Sequence, residues 1–275
     1  MRGVEAVTLL LALSLATLPV APHAHGMAPG TPVPLPGPTL HAVDCSAKAG
    51  AQVNLSCDGT IRPGTRAGGC TLAFVVTDGT ELYIATAGHC VEIGERLTVP
   101  GIEGELGTVV AKGRSKSCAD DWAFYRLDPE HRPLVLPTMA RWAGPQAPVP
   151  GTSPVREPLP GEAVLHYGHG QGLGEEETTR GRAGIALPRD GAISWPNATF
   201  PFAGSIGPGD SGSPVRLSTG EAAGIVVCQA PEQHEVESPA DLVVATSFQV
   251  AMEGLATAIG EAVHLVQGAH VAAAT

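Results

Sequence analysis

The stretch Gly207-Pro208-Gly209-Asp210-Ser211-Gly212-Ser213-Pro214-Val215 decides how the rest of the chain is read. Glycine reaches backbone conformations closed to other residues, and the prolines stiffen the approach on either side. Such a loop bends tightly enough for consecutive N–H groups to face one point. A serine hydroxyl beside those groups is a nucleophile with donors at hand for an oxygen that becomes negative. A free hydroxyl is a weak nucleophile, so Ser211 needs a neighbour that takes its proton near neutral pH. Histidine is suited to that task, and Thr86-Ala87-Gly88-His89-Cys90 offers one. A carboxylate that orients the imidazole completes the set. Asp121 leads into Trp122-Ala123-Phe124, an apolar strand where a buried acid is costly without a partner. Asp120, next to it, is the other candidate.

Composition fits many turns between short strands. Gly (35) and Pro (25) make up about a fifth of 275 residues, and only 16% are charged. That mix suits long helices poorly. A net charge of −11 argues against nucleic acid or an anionic membrane as partner, since both select basic patches.

Met1-Arg2-Gly3 and the apolar run Thr8–Ala16 read as a secretory signal over residues 1–24, with Ala21, Ala24 and Ala28 as candidate cleavage points. The run is too short to span a bilayer, and Pro19 and Pro22 follow at once. Residues 25–44 form a Pro-rich leader or propeptide without the means to bury a core. Its scattered His23, His25 and His41 have no accompanying ligand cluster, and no metal is expected. Six cysteines in an exported chain, none in a Cys-x-x-Cys pair, read as three disulfides. Cys45 and Cys57 bracket a small polar loop and pair most simply with each other. Cys70 and Cys90 sit at the two ends of a hairpin formed by Thr71–Val76, the turn Asp78-Gly79 and Leu82–Thr86. Their sulfurs should meet.

Further β-type runs stand at Leu97–Val99, Thr108–Val110 and Trp122–Leu127, and later at Ala163, Arg182–Leu187, Gly224–Val227 and Val243–Ala245. Between the two blocks, residues 145–160 carry six prolines and read as a linker. A helix is expected from Phe248 to about residue 267, with Leu255, Ile259 and Val263 recurring every four residues. His166 and His169 suggest zinc by spacing alone; without a helix pattern they are read as lying on opposed faces or in solvent. Glu175-Glu176-Glu177 is read as a solvated loop.

The His89, Asp121 and Ser211 segments, in that order, resemble the trypsin/chymotrypsin family of serine peptidases, nearest to its secreted, bacterial, streptogrisin-like branch. The likeness runs from about Gly68 to Gly260. It implies an all-β fold of two antiparallel six-stranded barrels with a C-terminal helix. The first barrel, 45–144, would carry His89 and Asp121; the second, 161–260, would carry Ser211. It also implies peptide hydrolysis through an acyl-enzyme on Ser211, with no cofactor or metal, by a secreted monomer acting on protein or peptide substrates. The alternative is a binding protein that keeps the fold without turnover. In the family the aspartate immediately precedes the apolar strand, which favours Asp121 and turns Asp120 to solvent. The matching loop makes the N–H groups of Gly209 and Ser211 the oxyanion donors and adds a bridge beside the histidine, here Cys70–Cys90. Bacterial members answer the acid before the serine with an arginine. The matching segment here, Leu165-His166-Tyr167-Gly168, has none, and Arg141 and Arg182 both remain open for Asp210.

The same alignment reaches the specificity pocket. Ser205, six residues before Ser211, falls at its floor, and Gln229 replaces a glycine at its mouth. A neutral floor leaves a buried Arg or Lys unpaired, so small or medium uncharged residues are expected before the cut. Cys228 falls where the family has an aromatic residue, and Cys118, three before Asp121, faces the same subsite. The resemblance therefore implies a Cys118–Cys228 bridge between the two halves.

Overall fold

Short β-runs punctuated by glycine turns fold antiparallel here, and the turns set which edges meet. The computed structural model describes residues 59–114, 118–171, 173, 180–189, 198–229 and 241–268. The expected signal and leader, Cys45, Cys57 and Glu175-Glu176-Glu177 lie outside the described residues.

The first half contains β1 (Arg66–Ala67), β2 (Cys70–Thr71), β3 (Val75–Thr77), β4 (Leu82–Thr86), β5 (Gly107–Lys112) and β6 (Ala123–Leu127). The second contains β7 (Ala163–Tyr167), β8 (Gly181–Ala186), β9 (Thr199–Gly204), β10 (Pro214–Leu217), β11 (Ala222–Gln229) and β12 (Asp241–Ser247). Helix α1 (Phe248–Ile259) and β13 (His264–Leu265) follow. In β5, buried and half-buried residues alternate, the pattern of a strand with one face on a core.

The second half closes into a six-stranded barrel in the order β10-β11-β12-β9-β8-β7, with β7 returning to β10 through His166↔Val215. Val164, Phe200, Phe202, Val215, Val226 and Val243 fill it. The first half corrects the expectation of a second six-stranded barrel. It is an open five-stranded sheet, β13-β3-β4-β6-β5, beside a separate β1-β2 ladder. Two local reasons account for this. Leu97–Val99 forms no strand; beside β5 the segment makes one Arg96↔Thr108 bridge and a Leu97 N–H bond to Gly107 O at 2.9 Å, and the glycines flanking it, Gly94, Gly101 and Gly104, all have positive φ. The run from Cys70 to Val76 also breaks between β2 and β3, where Leu72 and Phe74 are wholly buried in different clusters.

The helix is shorter than its apolar period implied. It ends at Ile259, with Gly260 in the left-handed conformation (φ 76°) and its N–H on Ala256 O at 2.9 Å. Val263 belongs to the extended tail that forms β13, which pairs His264 with Thr77 and Leu265 with Val76. The last described residues thus complete the sheet of the first half. β9 also escapes sequence reading, because Pro201 stands in its middle. The missing N–H faces the β8 side, where β8 has already ended at Ala186 and only Leu187 N–H reaches Pro201 O.

Residues of both halves form one further apolar cluster with α1. Phe248, fully buried, meets Phe74 edge-on at 5.0 Å and Phe124 at 6.4 Å, with Leu255 and Val227 nearby. Among the described residues no helix is long and apolar enough to cross a membrane. Truncation by Phe248→Ala should cost about 3–5 kcal/mol of stability, read as a lower urea midpoint with an unchanged slope.

Candidate active site

His89 sits on a single 3-10 turn, Gly88–Cys90, directly after β4. Cys90 is bridged to Cys70, with α-carbons 6.3 Å apart, so the turn cannot drift from the β1-β2 ladder. Asp121 lies two residues before β6 and is 3% exposed. One carboxylate oxygen accepts the backbone N–H of His89 at 2.8 Å, and the other meets His89 Nδ1 at 2.7 Å. On the far side of the ring, His89 Nε2 is 2.8 Å from Ser211 Oγ. An ionised carboxylate only accepts, so Nδ1 carries the proton and Nε2 is left to accept from the serine hydroxyl. The ring remains partly open to solvent at 40%, the exposure a substrate needs.

Asp120 differs from its expected solvated role. It takes the left-handed conformation (φ 51°), and its side chain accepts from Trp122 Nε1 at 2.7 Å and from the Arg114 N–H at 3.2 Å.

The Ser211 loop is held by groups distant in sequence. Thr71 N–H donates to Ser211 O at 2.8 Å, and Thr71 Oγ1 to Gly209 O at 2.9 Å. Gly212 N–H donates to Val226 O at 2.7 Å on β11. Gly212 (φ 89°) must be glycine, because a Cβ there would lie 2.0 Å from Thr71 O. Among the described residues no acceptor takes the N–H of Gly209 or of Ser211.

Asp210 is fully buried and answered on every side. Its oxygens accept from Gly170 N–H at 2.9 Å and Gly207 N–H at 2.8 Å, and Arg182 on β8 pairs with it directly. Of the two candidate arginines, it is Arg182 that reaches Asp210, while Arg141 stacks over Trp142 at 4.9 Å. The glycines of Tyr167-Gly168-His169-Gly170 make room for the acid. A Cβ at Gly168 or Gly170 would come within 2.2 Å of an Asp210 oxygen. Sequence reading left these two glycines unassigned, although their alternation marked a close backbone approach. Thr71 carried no comparable signal.

The remaining expected residues are spread around this centre. Ser205 follows the end of β9 and is exposed; Gln229 ends β11, exposed, with buried Val243 opposite it on β12. Cys118 and Cys228 are bridged, their α-carbons 5.9 Å apart. His166 and His169 do not converge on a metal. His166 is buried in the second barrel against Phe202, with neither ring nitrogen hydrogen-bonded, and His169 Nε2 meets Gly64 O at 3.0 Å. Among the described residues the one group with ligand spacing is Cys70, His89 and Cys90. Its sulfurs are bonded to each other and the His89 Nδ1 faces Asp121, so it is not a metal site.

A family model for a trypsin-like peptidase domain matches residues 70–225, more than half of the chain. The chain belongs to the trypsin-like peptidase family. It is a serine-type hydrolase, and His89, Asp121 and Ser211 all fall within the matched region. The crystal structure of Thermobifida fusca Protease A is similar in fold, with 21% identity and a TM-score of 0.52, covering 76% of this chain and 100% of that one. A glutamic-acid-specific serine protease described as using a histidine triad in substrate binding shows 19% identity and a TM-score of 0.51, covering 74% of this chain and 100% of that one. No curated protein matches the chain.

Two measurements test the surroundings of this hydrolase's site. Arg182→Met leaves the Asp210 charge buried without its cation and should cost about 3–5 kcal/mol in urea unfolding. His166 provides a pH test. Burial, reinforced by Arg182, pushes its imidazole down from 6.5 to about 3. The unfolded chain therefore takes up a proton below pH 6.5 that the folded chain refuses. The contribution of His166 to stability is complete above that pH and declines by about 1.4 kcal/mol per unit as pH falls towards 3. His166→Leu should make the unfolding free energy shallower by about one proton between about pH 6 and 4, as read from denaturant titrations.

Proposed function

We propose that this peptidase is a secreted serine endopeptidase of the streptogrisin-like branch that cuts peptide bonds through an acyl-enzyme on Ser211. The supporting observation is that His89 is bonded on both sides at once, Nδ1 to Asp121 at 2.7 Å and Nε2 to Ser211 at 2.8 Å. In this reading Ser211 Oγ attacks the scissile carbonyl carbon while its proton passes to His89 Nε2. Asp121 holds the ring in the required tautomer and stabilises the imidazolium. The carbonyl oxygen becomes negative and is met by the N–H groups of Gly209 and Ser211, which are uncommitted among the described residues. His89 then returns the proton to the leaving amine, and a water repeats the sequence to free the acid product.

The specificity reading follows from the absence of charge. Ser205 is neutral, Gln229 places a side chain where a glycine would leave space, and Val243 stands opposite it as a buried apolar neighbour. A lysine or arginine entering there would shed its water without gaining a counter-charge. Small or medium uncharged residues before the cut fit best. Export is supported by the signal pattern of residues 1–24 and by the two bridges, which persist in an oxidising compartment.

A fluorophosphonate probe should label the wild type at Ser211 and leave Ser211→Ala unlabelled, with kcat on peptides lower by about a million-fold in that variant. A folded wild type that stays unlabelled would make the protein a binding module. In a peptide library, cleavage should concentrate after uncharged residues of small or medium size. Efficient cutting after arginine would refute the specificity reading.

A further inference from the structure

We propose that the Cys118–Cys228 disulfide is a positioning element for Asp121 and acts on turnover; this rests on the acyl-transfer reading above. The loop that delivers Asp121 is held in an unusual backbone. Cys118 (φ 63°) and Asp120 (φ 51°) both occupy the left-handed region, which L side chains leave unless something retains them. Three restraints retain them. The Asp120 carboxylate holds Trp122 Nε1 and the Arg114 N–H. Gly113 packs so closely that a Cβ there would sit 2.1 Å from Asp120 O. The third restraint is covalent, the bond from Cys118 to Cys228, 110 residues away.

The far end of that bond is anchored to the serine's own frame. Cys228 lies on β11 two residues beyond Val226. Val226 O accepts from Gly212 N–H at 2.7 Å, and Val226 N–H donates to Ser213 O at 2.9 Å, so both neighbours following Ser211 are tied to it. A bulge in the β11-β12 register between Val226 and Cys228 re-aims the strand there. Val226 faces the barrel interior, while Cys228 packs against the cluster shared with Trp122, Phe124 and α1. The bulge thereby turns the cysteine towards the half that carries Asp121. A second tie between Asp121 and the second half is longer and non-covalent, Thr246 Oγ1 donating to Asp121 O at 3.4 Å. One path thus runs from Asp121 to the serine loop, covalent through Cys118, Cys228 and Val226 and completed by the two Val226 hydrogen bonds to the residues after Ser211. It links the two groups that His89 must reach at the same moment.

The experiment replaces both cysteines in the full chain (Cys118→Ser with Cys228→Ser) and separates kcat from KM on a peptide substrate. Positioning predicts a kcat lower by about tenfold, well inside the ~100-fold that a 1 Å misplacement can cost, with KM changed by less than about twofold. The rate of fluorophosphonate labelling should fall in parallel. An unchanged kcat overturns the proposal, as does a raised KM at constant kcat, which would make the bridge a wall of the cleft. If the double variant fails to fold, the wild type decides. Mild thiol reduction followed by alkylation mapping should show lost turnover tracking Cys118 and Cys228, with recovery on reoxidation. Loss that tracks Cys70 and Cys90 instead, or full turnover with Cys118 and Cys228 alkylated, overturns it. Fluorophosphonate labelling of untreated wild type keeps the two readings apart, because its absence sinks the acyl-transfer reading itself.

Discussion

A carboxylate with no exposed surface must be answered by charge and hydrogen bonds on every side, and Asp210 imposes that demand on the second barrel. Arg182 reaches it from β8, and the N–H groups of Gly170 and Gly207 point at its two oxygens. Taking such an acid out of water costs several kcal/mol per ion, so its partners cannot move independently. Two loops that would otherwise be free, 168–170 and 207–213, are wound around one anion. Ser211 follows Asp210 directly and inherits that rigidity. The glycines on both sides are consequences of the same constraint, since any side chain at 168 or 170 would occupy the space of the acid.

The second constraint is division of labour. His89 and Asp121 belong to an open sheet, and Ser211 to a closed barrel, so the site exists only while the two stay in register. Phe74, Phe124 and Phe248 pack across that junction, and β13 returns from the barrel's helix to complete the sheet. Thr71 reinforces it with two bonds to the serine loop. Apolar packing is non-directional and sets the approach of the halves; the hydrogen bonds and the 118–228 bridge set their register.

Much of this was legible in the residues. The Gly-Pro frame around Ser211, the histidine beside a cysteine, and the acid opening an apolar strand each announce a chemical need. Their order along the chain pointed to one family. The first half was less legible. Leu97–Val99 has strand composition, yet a strand needs a partner along its length, and the glycine turns around it leave a single bridge. Val263 continues the helical period of Leu255 and Ile259, but Gly260 ends the helix and hands the tail to a sheet edge. Local pattern reports what a segment tolerates, and the available neighbours choose among the options. Arg182 illustrates the same limit. Two arginines were chemically equal candidates for Asp210, and only strand register distinguishes them, by setting Arg182 beside His166 on the β7 edge.

By itself the amino-acid order determined which chemical groups are present and which local bends are permitted: a serine in a glycine turn, an imidazole, two adjacent acids, and cysteines at hairpin ends. Those properties are carried by single residues and their near neighbours. Tertiary structure decided which arginine neutralises Asp210, that Asp120 braces Trp122, that one half closes as a barrel while the other stays open, and that the C-terminal segment completes the opposite sheet. These outcomes depend on distances between residues far apart in sequence. Chain closure, side-chain volume and the cost of unpaired buried groups settle such distances jointly, and no single stretch encodes them.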